Sequence, residues 1–144
     1  MTYILGSDHA GLKLGNFVKM YLESKGFEVI DYLPQNDIKV DYPDFAKKVC
    51  KEVLNIKNSK GVLICGTGLG MSIAANRYSG IRATLCLDAY MGKMARAHND
   101  ANVLCLAERI SGIGEVESIL EAFIHTDFEG GRHGCRIAKI EDLN

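Results

Sequence analysis

Two kinds of apolar pattern alternate along this chain from one end to the other. Short unbroken apolar runs suit strands buried on both faces, and segments with apolar residues every third or fourth position suit helices with one buried stripe. The runs predict strands over 3–6, 27–31, from Gly61 to Cys65, over 81–87 and over 102–106. Between the first two, Leu14, Phe17, Val18, Tyr21 and Leu22 form a helical stripe, with Gly26 as its cap. Pro43 opens a second helix at its first turn, where a missing N–H costs nothing, and Ala46, Val49, Cys50, Val53 and Leu54 repeat the spacing. A helix follows the glycines after Cys65, another covers 90–97, and Val116, Ile119, Leu120, Phe123 and Ile124 mark a fifth. The polar stretch 36–41 has no period and is read as a loop.

Strand and helix in strict alternation predict a doubly wound α/β sheet of five parallel strands with flanking helices, and a single domain over 1–144. An extra helix after the last strand carries Arg132 and Arg136 on one face, four residues apart, which is either a solvated face or a guanidinium pair suited to a phosphate or carboxylate. Right-handed crossovers place the loops at 7–11, 65–70, Asp88 and 107–112 along one edge, where such sheets bind ligands.

Composition narrows the classes of function. With 144 residues, 47% apolar and 24% charged, the chain can bury a substantial core. Seventeen basic against eighteen acidic residues leave a net charge of −1, which suggests neither a nucleic-acid groove nor a membrane surface. The N-terminus has no basic leader and no run is long enough to span a bilayer, so the chain is expected to be soluble and not exported. The five cysteines, scattered and never in a Cys-x-x-Cys pair, fit reduced thiols in a cytoplasmic setting. Cys50, Cys86, Cys105 and Cys135 are expected to pack as small apolar residues.

Cys65 differs, because it ends a strand at Cys65-Gly66-Thr67-Gly68-Leu69-Gly70. Three spaced glycines let the backbone turn and approach a ligand, and the following helix directs free N–H groups at an anion or oxyanion. A dinucleotide fingerprint would need its third glycine one residue later, although Asp88 stands about where a ribose-binding acid would. A Walker loop would need Lys after the last glycine, and a cysteine phosphatase loop would need Arg; both positions are Met71. The thiol at a helix N-terminus is therefore expected to have a lowered pKa and to serve as a base. Thr67 and the loop amides would stabilise a developing oxyanion. Asp8 and His9 stand together at the end of the first strand, where capping of the first helix by Asp8 is the structural alternative, and His98 and Asn99 follow the fourth helix, where the alternative is a helix C-terminal cap. The four histidines show no metal-ligand spacing with Cys, Asp or Glu, so no metal is expected.

Taken together, the blocks at 6–11, 41–43, 65–70, 72–76, 98–104 and 129–133 resemble those of the ribose/galactose phosphate isomerases, specifically the B type of ribose-5-phosphate isomerase. The resemblance implies a Rossmann-like three-layer fold and a cofactor-free aldose–ketose isomerase acting on ribose 5-phosphate and ribulose 5-phosphate through an enediolate. It assigns proton transfer to Cys65 and ring opening to His98, with Thr67 in the anion-stabilising loop. Asp8, His9, Tyr42, Gly66, Gly68, Leu69, Gly70 and Asn99 match substrate contacts, and Arg109, Arg132 and Arg136 match a phosphate clamp. It further implies a homodimer or a dimer of dimers whose pockets are shared between subunits. A glutamate serves as base in one branch of the family, but its position here is Met71, which leaves Cys65. Galactose or allose 6-phosphate is the alternative substrate, and a dinucleotide-binding or sensor module is the non-enzyme alternative.

Overall fold

The computed structural model describes residues 1–142. Its five strands are β1 (Thr2–Ser7), β2 (Glu28–Tyr32), β3 (Ser59–Cys65), β4 (Ala83–Leu85) and β5 (Val103–Ala107). They form one parallel sheet in the order β2-β1-β3-β5-β4. The helices are α1 (Leu12–Ser24), α2 (Tyr42–Asn55), α3 (Leu69–Ala75), α4 (Ala89–Ala97), α5 (Ile113–His125) and α6 (Arg132–Glu141). The chain leaves β1 in one direction to reach β2, then crosses back over β1 to reach β3. The loops after β1 and β3 therefore diverge at the point where winding reverses, the place in such sheets where a crevice opens.

Residue alternation along the strands sorts the core into two halves. Leu5, Val62, Ile64, Leu104 and Leu106 face α1, α4 and α5, whose stripes supply Val18, Ala95 and Phe123 among others. Ile4, Leu63, Cys65, Val103 and Cys105 face α2 and α3, which supply Ala46, Val49 and Met71. Fully burying one such aliphatic side chain contributes roughly 1.5–3 kcal/mol. Two strand glycines set the approach of α2. A β-carbon on Gly6 would lie 2.7 Å from Val49 Cγ2, and one on Gly61 would lie 2.9 Å from Val49 Cγ1. Val49 thus sits over both, and α2 lies close enough to bring Tyr42, its first residue, over the loop after β3.

Two expectations need correction. The fourth strand is only Ala83–Leu85, shorter than 81–87, because it lies at the sheet edge and has a ladder on one side only. Cys135 is exposed, not packed. The buried residue of α6 is His133, and Cys135, two positions on, lies on another face of the helix. Helix α6 docks through Glu141, which accepts from Arg82 Nη1 at 2.9 Å and from the Gly80 amide at 3.2 Å. Cys50, Cys65, Cys86 and Cys105 are buried.

Candidate active site

The loop after β1 is pinned to the end of β3. The Asp8 amide donates to the Ile64 carbonyl at 3.3 Å, and the Asp8 carboxylate accepts from the Gly11 amide at 3.0 Å, capping a single 3-10 turn. Gly11 lies so close that a β-carbon there would be 2.6 Å from the Ile64 carbonyl oxygen. Asp8 therefore has the capping role that its position allowed, and it also lines the crevice.

At the end of β3, Cys65 Sγ accepts a hydrogen bond from the Gly68 amide at 3.1 Å. That contact needs the turn between them, and Gly68 makes the turn with φ +73°, a conformation natural to glycine. The loop after β5 closes the other side. Glu108 and Arg109 donate their amides to the carbonyls of Cys65 and Gly66 at 3.1 and 3.0 Å. Arg109 then lays its guanidinium carbon 3.2 Å from where a Gly66 β-carbon would be. The Tyr42 ring covers Gly70 in the same way, 2.8 Å from a β-carbon position. Asp8, His9, Tyr42, Cys65, Gly66, Thr67, Gly70 and Arg109, with Ala10, line one open cavity of roughly 280 Å³. Leu69 is exposed beside it, and Gly68 is buried beneath.

This cavity brings together a thiol, a carboxylate, an imidazole, a phenol and a guanidinium around a loop of backbone amides. Three other cysteines are poor proton carriers near neutral pH. Burial pushes the Cys50 thiol up to about 12, the Cys86 thiol up to about 11, and Cys105 well above its ordinary range. Asp88, the candidate ribose-binding acid, instead accepts from the Met91 amide at 2.8 Å and caps α4.

His98, Asn99, Arg132 and Arg136 are not in this cavity. His98 caps the C-terminus of α4 and precedes β5, so it lies at the opposite edge of the sheet. Gly61 pairs with Val103 at that edge and Cys65 with Ala107 at the other, about 13 Å of strand between them. Helix α6 shares the edge with His98, because the Glu129 amide just before it donates to the Ala97 carbonyl at 3.0 Å. Asn99 lines a separate cavity of roughly 280 Å³ with Arg82 and Glu141. The three arginines expected to form a phosphate clamp are accordingly divided within one chain, Arg109 at one end of the strands and Arg132 and Arg136 at the other.

At this second edge the His98 and His133 rings stack in parallel, centroids 4.2 Å apart and planes 8° apart. Glu129 Oε2 lies 3.7 Å from His98 Nε2 and 3.6 Å from His133 Nε2. These three side chains are a group with metal-ligating atoms, which the spacing argument missed although Glu129 and His133 stand four residues apart. The imidazole lone pairs lie in the ring planes, however, and no single ion can lie in two parallel stacked planes. His133 is 6% exposed, and its Nε2 has no hydrogen-bond partner among the described residues. Burial first, then the nearby His98 and Arg132 charges, hold its pKa below the ordinary histidine range.

A further contact had no signature in the sequence. The backbone amide of Val40, in the aperiodic loop before α2, donates to His9 Nδ1 at 3.3 Å. No helix among the described residues is long and apolar enough to cross a membrane.

The sequence pattern of the ribose/galactose isomerases matches residues 3–140. Ribose-5-phosphate isomerase B of Escherichia coli is 40% identical over 135 residues, covering 94% of this chain and 91% of its own. The solved structure of ribose-5-phosphate isomerase B from Clostridium thermocellum superposes with a TM-score of 0.97 at 44% identity, over 99% of this chain and 97% of that one. Ribose-5-phosphate isomerase B from Mycoplasma genitalium, solved with bound ribulose-5-phosphate, gives a TM-score of 0.93 at 41% identity, over 99% of this chain and 95% of that one.

Proposed function

The chain belongs to the ribose/galactose isomerase family, and we infer that it is an isomerase interconverting D-ribose 5-phosphate and D-ribulose 5-phosphate. The observation that carries this reading is Cys65, hydrogen-bonded by the Gly68 amide and opening into one cavity with Asp8, His9 and Arg109. In the aldose-to-ketose direction Cys65 takes the proton from C2 of the open-chain sugar and returns it to C1. The aldehyde oxygen ends as a hydroxyl, and the C2 hydroxyl ends as the ketone. One carbon is reduced as its neighbour is oxidised, so the step needs no outside electron carrier. The enediolate between them carries its charge on oxygen, where Thr67 and the loop amides can donate. Asp8, His9 and Tyr42 are positioned to hold sugar hydroxyls. The loop from Cys65 to Gly70 contains neither Lys nor Arg, which favours Arg109 beside it for the phosphate.

His98, Asn99, Arg132 and Arg136 enter the same reading through a second copy of the chain. Their place at the opposite edge supports a homodimer, or a dimer of dimers, in which each pocket takes Cys65 from one subunit and His98 from the other. There His98 opens the furanose ring and Arg132 and Arg136 complete the phosphate clamp. The setting we propose is the non-oxidative pentose phosphate pathway in the cytoplasm; free cysteines, at home in a reducing compartment, support it. The test is a coupled assay of ribulose 5-phosphate formation from ribose 5-phosphate, run beside galactose and allose 6-phosphates. Turnover on a six-carbon phosphate alone would move the substrate and keep the chemistry. No turnover on any of them would remove the reading.

A further inference from the structure

We propose that Val40 is a positioning residue: its backbone amide fixes the tautomer of His9, so the imidazole meets substrate only as a hydrogen-bond donor, through Nε2. The proposal rests on the isomerase reading, since it gives His9 a duty toward a bound sugar phosphate. The Val40 N–H donates to His9 Nδ1 at 3.3 Å. A neutral imidazole has one N–H, and the nitrogen that accepts is not the one that carries it. With Nδ1 engaged as acceptor, the ring proton sits on Nε2. That atom has no partner among the described residues, and the ring lines the cavity beside Cys65 and Arg109.

The tautomer decides what His9 can do there. An Nε2–H donates to a phosphate, carbonyl or hydroxyl oxygen but has no lone pair with which to remove a proton. In the other tautomer Nε2 would be a base competing with Cys65 and would face substrate oxygens with a repelling lone pair. The Val40 amide thereby keeps the imidazole of His9 out of the proton transfer. The loop that carries it is held at several points. Leu33 packs over Gly15, 2.6 Å from where its β-carbon would be, and Asn36 Oδ1 accepts from the Ile38 amide at 3.1 Å. At the far end Tyr42 rests on Gly70. The aperiodic stretch between β2 and α2 thus places an amide that no side-chain pattern could announce.

The direct test is nitrogen-15 NMR of the histidine rings in the intact protein at mildly alkaline pH, with His9 identified by the signal lost in His9→Gln. We expect a protonated-type shift at Nε2 and an unprotonated-type shift at Nδ1. Val40→Pro deletes the N–H, and we expect His9 to become a mixture of tautomers, with KM for ribose 5-phosphate up by about fivefold to twentyfold and kcat within about threefold. His9→Gln, whose amide NH₂ can stand near Nε2, should keep substrate binding better than His9→Asn, whose NH₂ stands near Nδ1. A wild-type ring protonated at Nδ1, or an unchanged tautomer in a folded Val40→Pro, overturns the proposal. If Val40→Pro does not fold, the wild-type spectrum and the Gln and Asn pair decide. The expected tautomer in a protein without isomerase turnover would sink the reaction reading and leave the ring assignment standing.

Discussion

The amide of Gly68 and the sulfur of Cys65 are 3.1 Å apart, and the left-handed turn at Gly68 is what lets them meet. Gly68→Ala tests that turn. An alanine at φ +73° costs about 1–2 kcal/mol, and its β-carbon would lie 2.4 Å from Leu85 Cδ1 and 3.1 Å from the Leu106 carbonyl oxygen. We expect a melting temperature lower by roughly 4–10 °C and a kcat lower by about tenfold or more as the donor leaves the sulfur. Thermal melts and steady-state kinetics on one preparation measure both.

The separation of Cys65 from His98 along the sheet makes a sharper prediction about assembly. If each pocket takes one residue from each subunit, Cys65→Ala and His98→Asn are each defective alone, yet a mixed dimer has one intact site. Random exchange of equal amounts should restore about one quarter of the wild-type rate, since half the dimers are mixed and half their sites are whole. A pocket built within one chain would show no recovery on mixing.

Thiol chemistry should follow burial. Native alkylation with iodoacetamide, read by peptide mass spectrometry, should label exposed Cys135 first and Cys65 more slowly, leaving Cys50, Cys86 and Cys105 unmodified. Loss of activity should track Cys65 labelling alone, and ribose 5-phosphate should slow that labelling. Labelling of Cys105 in the folded protein would contradict its burial in the sheet.

His133 makes stability depend on pH. Its pKa in the folded chain is held below the ordinary value by burial and by the His98 and Arg132 charges. As pH falls through about 6.5, the unfolded chain takes up a proton that the folded chain resists, so stability is lost on acidification and levels off above about pH 7. Urea unfolding midpoints across this range should rise with pH in the wild type and rise less in His133→Asn. Equal slopes in the two proteins would remove His133 as a cause.

Much of this architecture was legible from pattern because the physics there is local. Parallel strands buried on both faces leave unbroken apolar runs, and Pro43 and Gly26 mark helix ends through backbone geometry alone. The glycine loop and its cysteine were equally plain, since a strand that stops at Cys65 before three glycines has few structural uses. What pattern could not show depends on the third dimension. Cys135 is exposed because α6 turns His133, not Cys135, toward the rest of the chain, a choice of face that so polar a helix does not announce. His98 and the two tail arginines, which we propose act with Cys65, stand at the other end of the strands, a separation fixed by the direction in which β5 runs. The pairing of Val40 with His9 uses a main-chain amide, which every residue but proline possesses.

Cys65 is the group we propose carries the proton, and a comparison of two proteins tests that role. Wild type and Cys65→Ala are assayed for ribulose 5-phosphate formation while binding of ribose 5-phosphate is measured by calorimetry. We predict a loss of about 10² to 10⁴ in kcat with binding retained. Turnover within about tenfold of wild type in a folded Cys65→Ala protein would contradict it and assign the proton to another side chain.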